Sequence, residues 1–298
     1  MNIQKAVKPK IGFRRRDAVG WLLLLPIIAI YIVFSWEPLI AGIRLSFYET
    51  QGFDTLGFVG LQNYIAVIKD PFFITALKNT FMYLIWSLLL GLFFPVIVAV
   101  MINEMRRTKQ MFQFAVYFPN MVPGIATSIM WMLMMEPGSG GILNYFLGFF
   151  GIKGFGWLNN THYTIFLIVV TITWRCFGQT AILYLANLQS VNTELYEAAS
   201  LDGAGVLRKA FHITLPHLSG LIGLMAILQV IGMMQIFDAP YTMTGGGPDN
   251  ASITLGMLAY HYGFENFRFD MCAACGMIIA VLLSGFSVIY FRKSREDV

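Results

Sequence analysis

The sequence predicts an all-α polytopic membrane protein: six transmembrane helices with a short cytoplasmic insert. Three observations carry that prediction. Hydrophobic residues make up 57% of the 298 residues and charged residues only 12%, whereas a soluble domain carries about a quarter charged residues. The mean hydropathy is +0.66. Six apolar runs are long enough to cross a hydrocarbon core of about 30 Å, and Lys and Arg gather in alternate connections between them.

The first run, Val19 to Ile43, follows a basic tail, residues 1–17, that holds Lys5, Lys8, Lys10 and Arg14-Arg15-Arg16. Tail and run resemble a signal peptide, but the run is too long and lacks a small-x-small cleavage site, so it is expected to stay attached as an anchor. The second run is Phe73 to Ile102, the third Phe112 to Met135, the fourth Tyr163 to Ala186, the fifth Leu218 to Phe237 and the sixth Met271 to Phe291. Pro26, Pro95, Pro119 and Pro123 fall within them, and membrane helices tolerate such residues where neighbours or water satisfy the freed backbone groups. The six-span domain covers residues 18–292, with the insert at 190–217 and a short tail at 293–298.

Most of the 20 basic residues lie in the N-terminal tail, the loop after the second run, the insert and the C-terminal tail. Both termini are therefore expected in the cytoplasm. The net charge of +4 fits this topology and an anionic lipid surface, so nucleic-acid binding is not implied.

The insert contains Glu197-Ala198-Ala199-Ser200-Leu201-Asp202-Gly203 and, further on, Ile213-Thr214-Leu215-Pro216. Asn192 can cap a helix over Thr193 to Leu201, with Glu194 near the positive end of the dipole. Gly203 permits a left-handed turn, a second short helix is expected over Val206 to Phe211, and Pro216 suits the first turn of the next span. An ordinary amphipathic loop on the bilayer surface is the bland alternative.

The spacing from Glu197 to Pro216 resembles the EAA signature of ABC importer permeases. The resemblance implies a surface, made of Glu197, Ala198, Ala199, Asp202, Gly203, Ile213, Leu215 and Pro216, that receives the stroke of a separate ATPase. It also implies the partners: a homologous second permease subunit, a dimer of ATP-binding subunits and an extracytoplasmic solute-binding protein, in a bacterial cell membrane. ATP and Mg would sit on the ATPase, and no cofactor on this chain.

Further stretches are similar to the carbohydrate branch of these permeases, in particular to the maltose-system subunit that carries the sugar site. They are Gly57-Phe58-Val59-Gly60-Leu61-Gln62-Asn63-Tyr64, Asp70-Pro71-Phe72, Asn79-Thr80 and the loop Gly245-Gly246-Gly247-Pro248 after the fifth run. The chain departs from that subunit in having one compact hairpin before its second span and no large outer insertion. On the resemblance the glycine loop closes the outer end of the path and meets the binding protein; by composition alone it is a flexible turn. It lacks the Lys and Ser/Thr of a phosphate-binding loop.

Polar residues at membrane depth face a cavity or a partner. The fourth run offers Trp174, Arg175, Cys176 and Gln179, and the fifth offers Gln229, Met233 and Gln235. Counting from Glu197, the resemblance places Arg175, Cys176, Gln179, Gln229, Met233 and Ile236 near the sugar site. Trp174 and Tyr184 could stack on a sugar ring, or simply pack between helices. Arg175 needs an anion, which Asp238, Glu136 or a substrate carboxylate or phosphate could supply; an acidic or phosphorylated polyol is the alternative cargo.

Enzyme chemistry is not indicated. No paired carboxylates, H-E-x-x-H helix or phosphate-binding loop is visible, and His162, His212, His217 and His261 fall at loops and interfaces. Cys272 and Cys275 have C-x-x-C spacing but no further ligand near them, and with Cys176 they read as small packing residues rather than a redox or metal site. A self-sufficient secondary transporter would show two matching halves and intramembrane acids, and here the acids lie mostly in loops.

Overall fold

Backbone groups with no water to bond must satisfy one another, so the apolar runs fold as helices. The computed structural model describes residues 15–105, 107–138 and 140–296. Lys5, Lys8, Lys10 and Arg14 of the basic tail lie outside the described residues.

α1 (Arg15–Tyr31), a π-helical segment (Ile32–Trp36) and α2 (Glu37–Leu45) form the first span. No residue in its most apolar stretch is buried by the rest of the chain. The expected hairpin follows as β1 (Tyr48–Gln51) and β2 (Asp54–Phe58), antiparallel with Tyr48 opposite Phe58. α3 (Gln62–Lys69) leads into α4 (Phe73–Glu104), which stays continuous through Pro95.

The third apolar run does not fold as the single helix expected from its length. Pro119 and Pro123 have no amide to donate, and the chain breaks into α5 (Lys109–Tyr117), a 3-10 turn (Phe118–Met121) and α6 (Gly124–Met134). α6 alone is shorter than a span. Among the described residues five helical stretches are long and apolar enough to cross a membrane, and the remaining expected span is this composite of pieces. After α7 (Ile142–Phe149), α8 (Thr164–Leu188) runs back along the composite. The two approach so closely at Gly178 that a Cβ there would strike the Val116 carbonyl.

The insert forms α9 (Thr193–Leu201) and α10 (Val206–Lys209). The second short helix was expected to end at Phe211. Instead α10 passes through a π-helical segment (Ala210–Thr214) directly into α11 (Leu215–Met234), whose first turn holds Pro216. The widened π turn bonds the Leu215 amide to the Ala210 carbonyl, which lets the helix continue past a proline. α12 (Asp238–Thr244), α13 (Leu255–Tyr260), a further π segment (His261–Glu265) and α14 (Phe269–Glu296) complete the chain. The expected tail from residue 293 is helical as far as Glu296.

α4 is the centre of the bundle, packed on both α8 and α11. Around its start, Phe73 and Ala76 meet Leu255, Leu258 and Ile279; around its end, Ala99 and Ile102 meet Tyr184, Leu185 and Leu218. Buried hydroxyls bond within the fold: Thr80 donates to the Ala76 carbonyl at 2.7 Å and accepts from the Leu255 amide at 3.1 Å. The hairpin is pinned to α14 by Asp270, which accepts from the Thr50 amide and from the Arg268 guanidinium at 3.0 Å. That ion pair keeps the Arg268 pKa above its ordinary value.

Candidate functional site: a capped insert beneath a mixed cavity

The insert is held at both legs. Asn192 accepts from the Glu194 amide at 3.0 Å, capping α9 as its side chain allows, and its own amide donates to the Glu194 carboxylate at 3.1 Å. Gly203 closes the helix with φ 75°, in the left-handed region, and the Ala204 amide reaches back to the Ala199 carbonyl at 2.8 Å. Lys209 then donates to Ser200 at 2.6 Å, and the Tyr196 hydroxyl lies 3.0 Å from that of Thr214. At the foot of α11, His217 meets Ser190 at 3.2 Å.

Those contacts leave the tip free. Glu197, Ala198, Asp202 and Gly203 are exposed, Leu201 is 90% and Leu207 75% exposed, and Phe211 is exposed beside them. Ala199, Ile213 and Leu215 are half-buried beneath, while Pro216 is exposed. The ion pairs among the described residues join His261 to Glu265 and Arg268 to Asp270, and neither uses Glu197. A short capped helix with an apolar tip and a free carboxylate can transmit a push to α8 and α11, the helices it joins.

Those two helices, with α4, wall a cavity of about 350 Å³. Cys176, Gln179, Gln229 and Met233 line it; so do Ser87, Gly91, Thr173, Phe177 and Thr180, which sequence reasoning did not name, and the apolar Ile172, Leu183, Met225 and Leu228. The Gln229 amide donates to the Ser87 carbonyl at 2.6 Å, and a Cβ at Gly91 would run into that side chain. The signal for α4 was a small-xxx-small pair, Ser87 and Gly91, inside an apolar run. Among the described residues no charged side chain lines this cavity.

The other expected path residues lie elsewhere. Trp174 packs edge-on against Trp131 at 5.6 Å. Ile236 is in the core beside Ile165 and Met243, its carbonyl accepting from Thr254 at 2.8 Å. Arg175 lines a separate recess of about 40 Å³ with Gly124, Thr127, Ser128 and Asp238. Asp238 and Arg175 share that recess, yet the ion pairs among the described residues include neither. Tyr184 is fully buried in the core and cannot stack on a solute there. A larger recess of about 620 Å³ lies between the first span and the hairpin, but no part of the insert borders it.

At the far end of the bundle the glycine loop is stitched down rather than loose. Gly245 and Gly246 take φ 57° and 92°; Ser252 donates to the Gly247 carbonyl at 2.8 Å and its amide to Gly246. Asn79 of α4 donates to the carbonyls of Asn250 and Ile253 at 2.9 and 3.0 Å, and Tyr83 to that of Ser252 at 3.3 Å. Pro248 begins the stretch so held.

Three similarities bear on this arrangement. The chain is 32% identical to the lactose transport system permease protein LacF of Rhizobium radiobacter, over 95% of this chain and 96% of that one. It is 30% identical to the arabinooligosaccharides transport system permease protein AraP of Bacillus subtilis (strain 168), over 95% and 90%. A crystal structure of a bacterial ABC transporter involved in the import of the acidic polysaccharide alginate contains a chain that superposes with a TM-score of 0.84 at 25% identity, over 95% of this chain and 96% of that one. Both walls of the cavity on α8 and α11, the whole insert and the glycine loop fall within residues 91–295, which match the family described as binding-protein-dependent transport system inner membrane component; the chain belongs to that family.

Proposed function

We propose that this permease conducts a neutral sugar or oligosaccharide inward, through the cavity between α4, α8 and α11, and that a separate ATPase drives it through the 190–217 insert. The observation that carries the cargo class is the cavity lining: amides from Gln179 and Gln229 and hydroxyls from Thr173 and Thr180, set among apolar side chains that include Phe177, with no charged side chain among the described residues. Hydroxyls leaving water need replacement hydrogen-bond partners, and a sugar face packs well on an aromatic ring. An acidic or phosphorylated polyol would need a cation in that lining, and Arg175 borders the other recess. The names of the lactose and arabinooligosaccharide relatives agree with this reading, while the acidic alginate of the structural relative matches the alternative cargo.

The partners follow from the same reading. A homologous second permease completes the path, a dimer of ATP-binding subunits holds ATP and Mg beneath, and an extracytoplasmic binding protein delivers solute near the Gly245–Pro248 loop, with both termini in the cytoplasm. Nucleotide-driven closure of the ATPase dimer moves the insert, and because its legs are bonded together, α8 and α11 move with it. Reconstitution tests this: uptake of labelled lactose or arabinooligosaccharide should require the second permease, the ATPase and the binding protein together. Uptake by the purified chain alone would mean a self-sufficient transporter and would overturn the assignment.

A further inference from the structure

We propose that α7 is a membrane-surface anchor, its outward face lying among lipid headgroups and upper acyl chains at the end of the bundle away from the 190–217 insert. The helix carries no charged residue. Its one amide side chain, Asn144, points inward, and all of its bonding capacity to neighbours is used there. Asn144 Nδ2 donates to the carbonyls of Glu136 and Phe155 at 3.2 and 2.9 Å, and Oδ1 accepts from the Phe155 amide at 2.8 Å and from Trp157 Nε1 at 2.9 Å.

The outward face is the reverse of what water selects. Ile142, Tyr145, Phe146, Phe149, Phe150 and Ile152 are all exposed, Phe149 by 70% and Phe150 by 79%. The Tyr145, Phe146 and Phe149 rings touch one another with centroids 5.0 to 6.4 Å apart. In water such a patch is an aggregation site.

The position of α7 identifies its occupant as lipid. It stands in the connection between α6 and α8, packs beside α6, and Leu143 joins the cluster of Met135 and Ile165 where those two helices end or begin. α7 therefore follows directly on α6, whose exposed apolar side chains include Ile129 and Leu133, at the level where a span leaves the hydrocarbon. Aromatic rings are enriched at that depth. Lys153, exposed just beyond the helix, adds a cation suited to lipid phosphate.

Site-specific photo-cross-linking tests the proposal in cell membranes that hold the whole transport system. Benzoylphenylalanine replaces Phe149, or in a second variant Tyr145, keeping an aromatic ring at the position so that at least one variant inserts and supports uptake. After irradiation, the peptide carrying the label should show the mass shift of one phospholipid. A cross-link to a second permease or to a binding protein, or no lipid adduct at either position in variants that still transport, overturns it.

Discussion

The hydroxyls of Tyr196 and Thr214 lie 3.0 Å apart, one on α9 and the other on the π turn that feeds α11. They close the insert into a loop with two bonded legs, so displacement of its tip is passed to α8 and α11 together. Removing the bond should loosen transmission without touching either the ATPase or the cavity.

Tyr196→Phe therefore should leave ATP hydrolysis by the assembled importer near its normal rate while lowering solute moved per ATP. One intramolecular hydrogen bond contributes about 0.5–1.5 kcal/mol, so a loss of several-fold in that ratio is expected. Simultaneous measurement of uptake and phosphate release in proteoliposomes checks it.

Gly203 separates backbone strain from steric clash. A Cβ there meets no atom within 4 Å, yet φ is 75°, a conformation that costs an ordinary L-residue roughly 1–2 kcal/mol. Gly203→Val should uncouple transport with normal membrane insertion, whereas Gly203→Asn, which tolerates left-handed backbone, should retain most uptake. Equal loss in both variants would mean the side chain, not the turn, is what matters.

Glu197 carries an exposed carboxylate at the tip of the same insert. Charge reversal in Glu197→Lys should abolish ATP-dependent uptake and weaken co-purification of the ATPase in high-salt washes, since a surface ion pair is screened by salt. Protein yield in the membrane should not change.

In the cavity, Gln229→Leu keeps bulk while deleting the amide that reaches the Ser87 carbonyl. Uptake should fall through weaker solute handling, with ATP hydrolysis still stimulated by the loaded binding protein. Gly91→Ala should act at the same place by forcing Gln229 aside.

Tyr262 donates to Asp70 at 2.7 Å, and burial, together with that carboxylate, pushes its pKa well above the ordinary 10.0. The folded protein thus holds this proton more tightly than the unfolded chain does. Stability is fully present below about pH 10 and declines as pH rises from there toward the folded value. Tyr262→Phe should lower thermal stability at neutral pH by leaving Asp70 short of a donor, and should flatten the decline above pH 10, as followed by melting in detergent.

How legible these features were in the sequence depended on which residues carried them. The capped helix Thr193–Leu201 and the Gly203 turn were readable because Asn192, Glu194 and Gly203 act locally. The broken third run was not, although Pro119 and Pro123 were visible: proline alone does not say whether a membrane helix bends or divides. The merging of Val206–Lys209 into α11 depended on a π turn that no local propensity announces. Helices that are apolar all round carry no periodic signal of which face meets which neighbour. For that reason Cys176 and Gln179 could be placed on α8, but the placing of Arg175 in one recess with Asp238, and the contribution of Ser87 and Gly91 from α4, became visible only with the helices packed.

On the proposed function, the anchoring to Asn79 and Tyr83 of the stretch just beyond Pro248, at Asn250, Ser252 and Ile253, would set the clock for admission of solute. A free flap would flicker on the nanosecond scale of ordinary loops, but a flap fastened to the longest helix lifts only when that whole helix tilts, a collective motion of microseconds to milliseconds. On that reading solute admission would be tied to the power cycle itself, and leakage between strokes would be suppressed.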